Sequence, residues 1–330
     1  MTETGIQTSG MQTTVINNAA SKGGDNRNSF GKRLVKNYKQ HRWIYYMALP
    51  VIIYYIVFKY LPMAGLVISF ENYRPARGLF HSDWVGFKQF IDFFSSPFAW
   101  RIIRNTITIN LQSLVFGFPA PIILALLLNE IQAQRYKSTL QTLSYLPHFI
   151  SLVVVCGILR DFSTSTGLFN NMLAFFGVAR SNLLDKVNLF QPLYVGSGVW
   201  QGIGWGSIIY LATLSGADPN LYEAAVIDGA GRFKQMVHVT FPTLVPIIVI
   251  QLIMQIGSLM SIGFEKVFLL YSPLIYEKAD IISTYVYRAG IEDTNFSYGS
   301  AIGMFNSVVN LMLLVFANWL ARKTTDESLW

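Results

Sequence analysis

Few groups in this chain can do covalent or metal chemistry: one cysteine, four histidines and 18 carboxylates in 330 residues. The single thiol, Cys156, excludes an internal disulfide and a cysteine-based zinc site, and it reads as a small buried hydrophobe. His41, His81, His148 and His238 are scattered, with no His-Glu-x-x-His or other metal-ligand spacing. No Gly-x-x-x-x-Gly-Lys-[Ser/Thr] loop is present, so ATP has no Walker A cradle here. Gly229-Ala230-Gly231 is a bare Gly-x-Gly without a preceding strand, too little for a dinucleotide site. The remaining chemistry-bearing residues are polar groups inside apolar runs. Gln201 and Trp205 are i, i+4; Gln251, Gln255 and Ser258 are i, i+4, i+7; Asn306 and Asn310 are again i, i+4. Each set falls on one helix face. Amides bond to hydroxyls, and an indole offers a flat apolar platform, which together suit a sugar. The same amides also serve as hydrogen-bond glue between membrane helices, so both readings stay open.

The elements that must hold these residues are long and apolar. Hydrophobic residues make up 52% of the chain and charged ones only 13%, against about 25% charged in soluble domains. Mean hydropathy is +0.39. The class expected is an all-α integral membrane protein. Crossing a bilayer takes about 20 apolar residues, and six uncharged or nearly uncharged stretches of that order occur. The expected spans are about 43–64, 105–129, 138–159, 190–216, 241–264 and 298–320. Residues 1–31 are polar, rich in Thr, Ser, Asn and Gly, and are expected to be a disordered tail. Lys32, Arg33, Lys36, Lys39 and Arg42 follow, just ahead of the first apolar run. With Arg135, Lys137, Arg232, Lys234, Arg322 and Lys323 they favour cytoplasmic N- and C-termini. The net charge of +7 is then a matter of basic flanks on spans, with no call for nucleic acid. The segments 71–103, 160–186 and 265–294 face outward in this topology, aromatic and irregular. Acidic and basic residues nearly balance on that side, which gives no support to an anion-collecting vestibule for uronic-acid oligosaccharides.

The sharpest local pattern lies between the fourth and fifth spans, in the loop 217–242. Asp218 is a helix cap with Pro219 at the first helical position. Leu221, Ala224 and Ala225 form a narrow apolar stripe, with Glu223 and Asp228 off it. Gly229 and Gly231 break the helix, Phe233, Met236 and Val237 begin a second stripe, and Pro242 sits where the fifth span can start. A short helix of small residues with free acids suits a groove on another protein; a plain surface connector has the same features.

Glu223-Ala224-Ala225, then Gly229, then Val239, Phe241 and Pro242, resembles the EAA loop of binding-protein-dependent ABC importer permeases, with Val and Phe where Ile and Leu are usual. Phe58 to Phe94, Ser144–Ser151 (SYLPHFIS) and the ending SYGSAIGMFNSVVNLMLLVFANWLARK are similar to carbohydrate-uptake permeases, closest to the LplB-like oligosaccharide branch of the maltose-permease-like superfamily. The resemblance implies a type I, MetI-like permease fold over 32–330 in the cell membrane. It implies partners too: a second homologous permease, two ATP-binding cassette subunits, and an extracellular or lipid-anchored sugar-binding protein. No cofactor is expected in this chain, ATP and magnesium being held by the ATPase subunits. By the same resemblance Glu223, Ala224, Ala225, Asp228, Gly229 and Ala230 are the ATPase-coupling residues. Gln201, Trp205, Gln251, Gln255, Asn306 and Asn310 are the candidates for the substrate path.

An ion-gradient-driven secondary transporter is the alternative. It would need an intramembrane carboxylate or lysine to carry the coupling charge, and spans two to six have no carboxylate between their ends. A membrane-embedded enzyme would need a nucleophile and base, and no such pairing is visible.

Overall fold

The computed structural model describes residues 27–324 apart from Phe80, together with Ser328. Two compact units divide at Ala64 and Gly65. The first holds α1 (Arg27–Tyr55), a π-helical turn over Ile56–Tyr60 and α2 (Leu61–Met63). His41 leaves helical geometry (φ −117°, ψ 24°), so α1 is two helices meeting at a kink. The expected polar tail falls mostly outside the described residues. Its last five residues, 27–31, are helical, continuing α1 backwards from the basic stretch whose Lys and Arg are good helix formers.

The second unit begins at Gly65, inside a 3-10 stretch over Ala64–Phe70, and continues into a two-stranded antiparallel ribbon of β1 (Glu71–Asn72) and β2 (Asp83–Trp84). Then come α3 (Lys88–Ser95), α4 (Ala99–Gln112), α5 (Pro119–Asn129), α6 (Gln134–Tyr145), α7 (Leu152–Ser163) and α8 (Leu168–Phe175). The long α9 (Phe190–Ser215) leads to α10 (Pro219–Ile227), α11 (Arg232–Gln235) and α12 (Phe241–Gly257). Short helices α13 (Phe264–Leu270), α14 (Tyr276–Ala279) and α15 (Ile282–Val286) precede the final α16 (Phe296–Thr324).

Prolines set much of the local geometry. π-Helical turns at Ile56–Tyr60, Ser113–Gly117 and Met236–Thr240 each end two residues before a proline: Pro62, Pro119 and Pro242. A proline within a helix has no N–H and its ring crowds the carbonyl four residues back; widening that turn relieves both problems. The helices therefore run on through all three sites. At Pro147 the outcome differs. The third expected span, 138–159, is not one helix: α6 stops at Tyr145, a 3-10 turn covers Leu146–Phe149, and Ser151 caps α7 by accepting from the Val154 N–H (3.4 Å). The fifth span ends at Gly257 rather than at 264, because Ser258 turns out of the helix (φ −105°, ψ 13°).

Among the described residues, five stretches are long and apolar enough to cross a membrane: His41–Phe70, Ala99–Asn129, Leu152–Phe175, Arg232–Gly257 and Phe296–Thr324. α9, the fourth expected span, is not among them; Gly, Ser and Gln dilute its hydropathy although it carries no charge. At most 22% of the apolar window in any of the five is buried inside the chain, so lipid or partner subunits must cover the rest.

The core lies where α9 meets its neighbours. Ile122, Ala125, Tyr210, Leu214 and Leu244 join α5, α9 and α12. A second cluster joins Ile109, Leu159 and Phe190 to Val267, Leu270, Ile275 and Ile281. The segment 265–294, expected to be irregular, is instead largely helical and packed against this cluster. Val267, Leu270, Ile275, Ile281 and Ile282 are core, the tyrosines are half-buried, and Phe268, Leu274 and Ile291 remain exposed. A fully buried carboxylate ties it down: Asp280 meets Arg288 at 2.7 Å and Arg101 at 3.5 Å, and accepts from the Thr284 hydroxyl at 3.0 Å. Asn105 in α4 donates to the Glu277 and Asp280 carbonyls (2.9 and 3.0 Å).

Candidate functional site

A cavity of about 650 Å³ runs along α9. It is lined from Tyr194 to Tyr210, roughly 24 Å of helix at 1.5 Å per residue. Gly198, Gly202 and Gly206, one turn apart, form its α9 wall, and a Cβ on Gly202 would meet nothing within 4 Å. Facing walls come from Ser113 through Pro121 on the α4–α5 side, from Gln251 and Gln255 in α12, and from Lys266 in α13. Four of the six predicted path residues meet here: Gln201, Trp205, Gln251 and Gln255.

Two of these four have structural duties as well. The Gln201 amide donates to the Ile150 carbonyl (3.2 Å), holding the chain between α6 and α7. Trp205 stacks on His148, ring centroids 4.5 Å apart and 5° from parallel. One face of the indole is therefore taken, and only the other is left for a ligand. Gly204 explains the close approach, since its Cβ would sit 2.0 Å from the Ser144 carbonyl oxygen. His148 is exposed at the helix break, with one ring face against Trp205. Cys156 is buried in the core.

Asn306 and Asn310 are not in the cavity. Asn310 accepts from the Met260 N–H (2.9 Å) and donates to the Ser261 hydroxyl (2.7 Å), and Asn110 donates to the Leu259 carbonyl. These two amides clamp the non-helical segment after α12; Asn310 is glue, not a lining group. The Asn306 side-chain oxygen is buried with no hydrogen-bond partner. Ser258 sits at the helix end with its hydroxyl turned back to the Gln255 carbonyl (3.0 Å).

Lys266 was not anticipated as a site residue. It is 7% exposed, its ammonium donates to the Tyr194 carbonyl (2.8 Å) and lies 4.6 Å from the Tyr194 ring centroid. Among the described residues no carboxylate pairs with it. Its sequence neighbour Glu265 is exposed, so in the sequence the pair reads as ordinary surface charge.

In the loop between α9 and α12, Asp218 caps α10 by accepting from the Asn220 N–H (2.9 Å). The helix ends in a left-handed Gly229 (φ 74°), with the Ala230 N–H donating to the Ala225 carbonyl (2.9 Å) and the Gly229 N–H to the Val226 carbonyl (3.0 Å). Gln235 then donates to the Ala230 carbonyl (2.7 Å), and Tyr222 donates to the Thr240 hydroxyl (3.1 Å), bracing α10 against the foot of α12. Tyr222 and Ala225 are half-buried, whereas Leu221, Glu223, Ala224 and Asp228 are exposed. No residue of α10 is buried, and Ile227 and Phe233 are 85% and 73% exposed. An apolar rim around exposed acids is thus left uncovered by the rest of the chain.

Residues 117–326 match the family described as binding-protein-dependent transport system inner membrane component. The polygalacturonan/rhamnogalacturonan transport system permease protein YteP of Bacillus subtilis (strain 168) is 43% identical over 91% of this chain and 94% of its own. Protein LplB of the same organism is 42% identical over 88% and 92%. Among solved structures, a chain of a bacterial alginate ABC transporter, in complex with an alginate pentasaccharide-bound periplasmic protein, superimposes with a TM-score of 0.83. It is 41% identical and covers 90% of this chain and 100% of that one. With the helices, the lined cavity and the exposed loop helix already in place, the chain belongs to the family of binding-protein-dependent transport system inner membrane components, as a multi-pass permease subunit of an ABC importer.

Proposed function

We propose that this chain forms half of the translocation path for an oligosaccharide, with the cavity along α9 as its part of that path. The observation that carries the reading is the meeting of Gln201, Trp205, Gln251 and Gln255 on one 650 Å³ space. Amide groups and one free indole face around a groove suit hydroxyls and the flat C–H faces of pyranose rings. The relatives named for polygalacturonan, rhamnogalacturonan and alginate support acidic oligosaccharides as the cargo.

In this reading a second homologous permease closes the open side of the cavity, and an extracellular sugar-binding protein delivers the cargo. Two ATPase subunits hold ATP and magnesium, and α10 is the coupling helix, with Glu223, Ala224, Ala225, Asp228, Gly229 and Ala230 at the docking surface. The loop 217–242 and both termini are cytoplasmic. The test is the double substitution Gln251→Leu and Gln255→Leu in the complete transporter. Uptake is expected to fall to background while the subunits still co-purify. Collapse of assembly would make the two amides packing glue, and unchanged uptake would remove them from the path.

A further inference from the structure

A lysine held almost wholly out of solvent, in a cavity without a carboxylate, is an expensive feature. Lys266 keeps one hydrogen bond, to the Tyr194 carbonyl, and lies near the Tyr194 ring, two neutral partners for a full charge. An ammonium carries three donors, so that single bond leaves capacity for an incoming acceptor. The groove is shaped to let one approach. A Cβ on Gly198 would come within 3.3 Å of the Lys266 Nζ, so glycine at that position keeps the space beside the ammonium open. The other polar lining groups, Ser113, Gln201, Gln251 and Gln255, are uncharged. Among the described residues, Lys266 is the single charged one lining the cavity.

We infer that Lys266 is the residue of the cavity that reads cargo charge, its ammonium taking the carboxylate of a uronic-acid unit as the oligosaccharide passes Tyr194. The inference rests on the oligosaccharide reading above and deepens it by assigning the recognition of acidity to one side chain. It also accounts for the near balance of charge on the outer segments. Selection of an anion does not need a positive vestibule if one cation waits inside a low-dielectric groove, where a charge-assisted bond is stronger than in water. Burial pushes the Lys266 ammonium down to about 8, and a carboxylate brought next to it restores the charged form.

The test uses the assembled transporter, purified without its binding protein so that delivery does not filter the probes. Binding is measured for a galacturonate trimer, a mannuronate trimer and the methyl ester of the galacturonate trimer, which keeps the hydroxyls and loses the charge. Lys266→Gln is expected to weaken binding of both acids about tenfold or more and to leave the ester within about twofold. Lys266→Arg, which keeps the charge, is expected to retain most of the acid binding and shows that a loss in Gln is not misfolding. A preference for one trimer over the other tells galacturonate from mannuronate cargo. Equal loss of acid and ester in Lys266→Gln, or no loss of either, overturns the inference. So does failure of the wild type to bind either acid. Uptake by the same wild type with its binding protein in proteoliposomes then decides whether the oligosaccharide reading falls too.

Discussion

Gly229 and Lys266 show how much rests on single positions. Gly229 has a positive φ of 74°, and a Cβ there would meet nothing within 4 Å. The cost of a side chain is therefore in the backbone alone, about 1–2 kcal/mol for an ordinary L-residue in that region. Gly229→Ala is expected to loosen the end of α10 and weaken ATPase pull-down, while Gly229→Asn, which tolerates the left-handed region, keeps most of it. Equal binding by Ala and wild type would show that the turn does not present the helix. Glu223 lies on the exposed side of α10, and its reversal, Glu223→Lys, is expected to abolish association or uncouple hydrolysis from uptake with the membrane part still folded. At Lys266 two pH effects run in opposite directions. Its folded value, about 8, lies below the ordinary 10.5, so the charged form penalises the fold. That penalty is fully present below pH 8 and is relieved as pH rises toward 10.5. Binding of an acidic oligosaccharide should do the reverse, falling as pH climbs through 8, and Lys266→Arg should flatten that fall. A titration in which wild type and Arg variant decline together would detach the effect from Lys266. The two residues also differ in legibility. Gly229 stood in a recognisable pattern, whereas Lys266 beside Glu265 carries no periodic signal; only packing of α13 against α9 reveals it as buried.

At the scale of elements, the contacts of α9 decide the architecture. Gly204 lets α9 touch the backbone where α6 ends; a Cβ would overlap Ser144 at 2.0 Å. Gly204→Ala must push the elements apart, at a cost of about 1–3 kcal/mol, and should lower the melting temperature of the purified complex, with Gly204→Leu failing to assemble. A melting point unchanged in Gly204→Ala would mean that the α6 end is free to move away. Asp280 plays a comparable part on the other side of the core. Asp280→Leu leaves the Arg101 and Arg288 guanidiniums without their shared partner, on the order of 3 kcal/mol for a pair buried on one side, and should expose the 265–294 segment to protease. Uncharged runs were enough to find most of these helices, including α9, whose glycines hide it from a hydropathy threshold. They could not show the break at Pro147. A proline inside an apolar run is compatible with a kink, a widened turn or a stop, and the Ser151 cap and the stacking of His148 on Trp205 decide for the stop. Likewise Gln251 with Gln255 and Asn306 with Asn310 share the same i, i+4 spacing. Only the former pair faces the cavity, because spacing selects a helix face without saying what that face meets.

The whole molecule is a permease subunit of an importer, not an enzyme, and it is visibly unfinished. Its apolar windows are at least 78% unburied by the chain itself, its cavity is only partly enclosed, and α10 carries an apolar rim around exposed acids without burying a residue. Lipid can cover the first of these surfaces, but neither of the other two. Nothing in the sequence offers a phosphate-binding loop, so the work of moving cargo must come from elsewhere. Reconstituted alone in liposomes, the chain is expected neither to hydrolyse ATP nor to take up any oligosaccharide. With a homologous permease and the ATPase pair, ATP hydrolysis should appear. With the sugar-binding protein on the outside, hydrolysis should rise further and uptake should begin. The order of these gains matters, because in the proposed assembly each addition covers a different surface: the open part of the cavity, the exposed loop helix, then the outer mouth. ATPase activity from the chain alone, or uptake without any ATPase, would overturn the subunit assignment. The second result would return the ion-gradient alternative, with Lys266 then the one cavity charge available to couple.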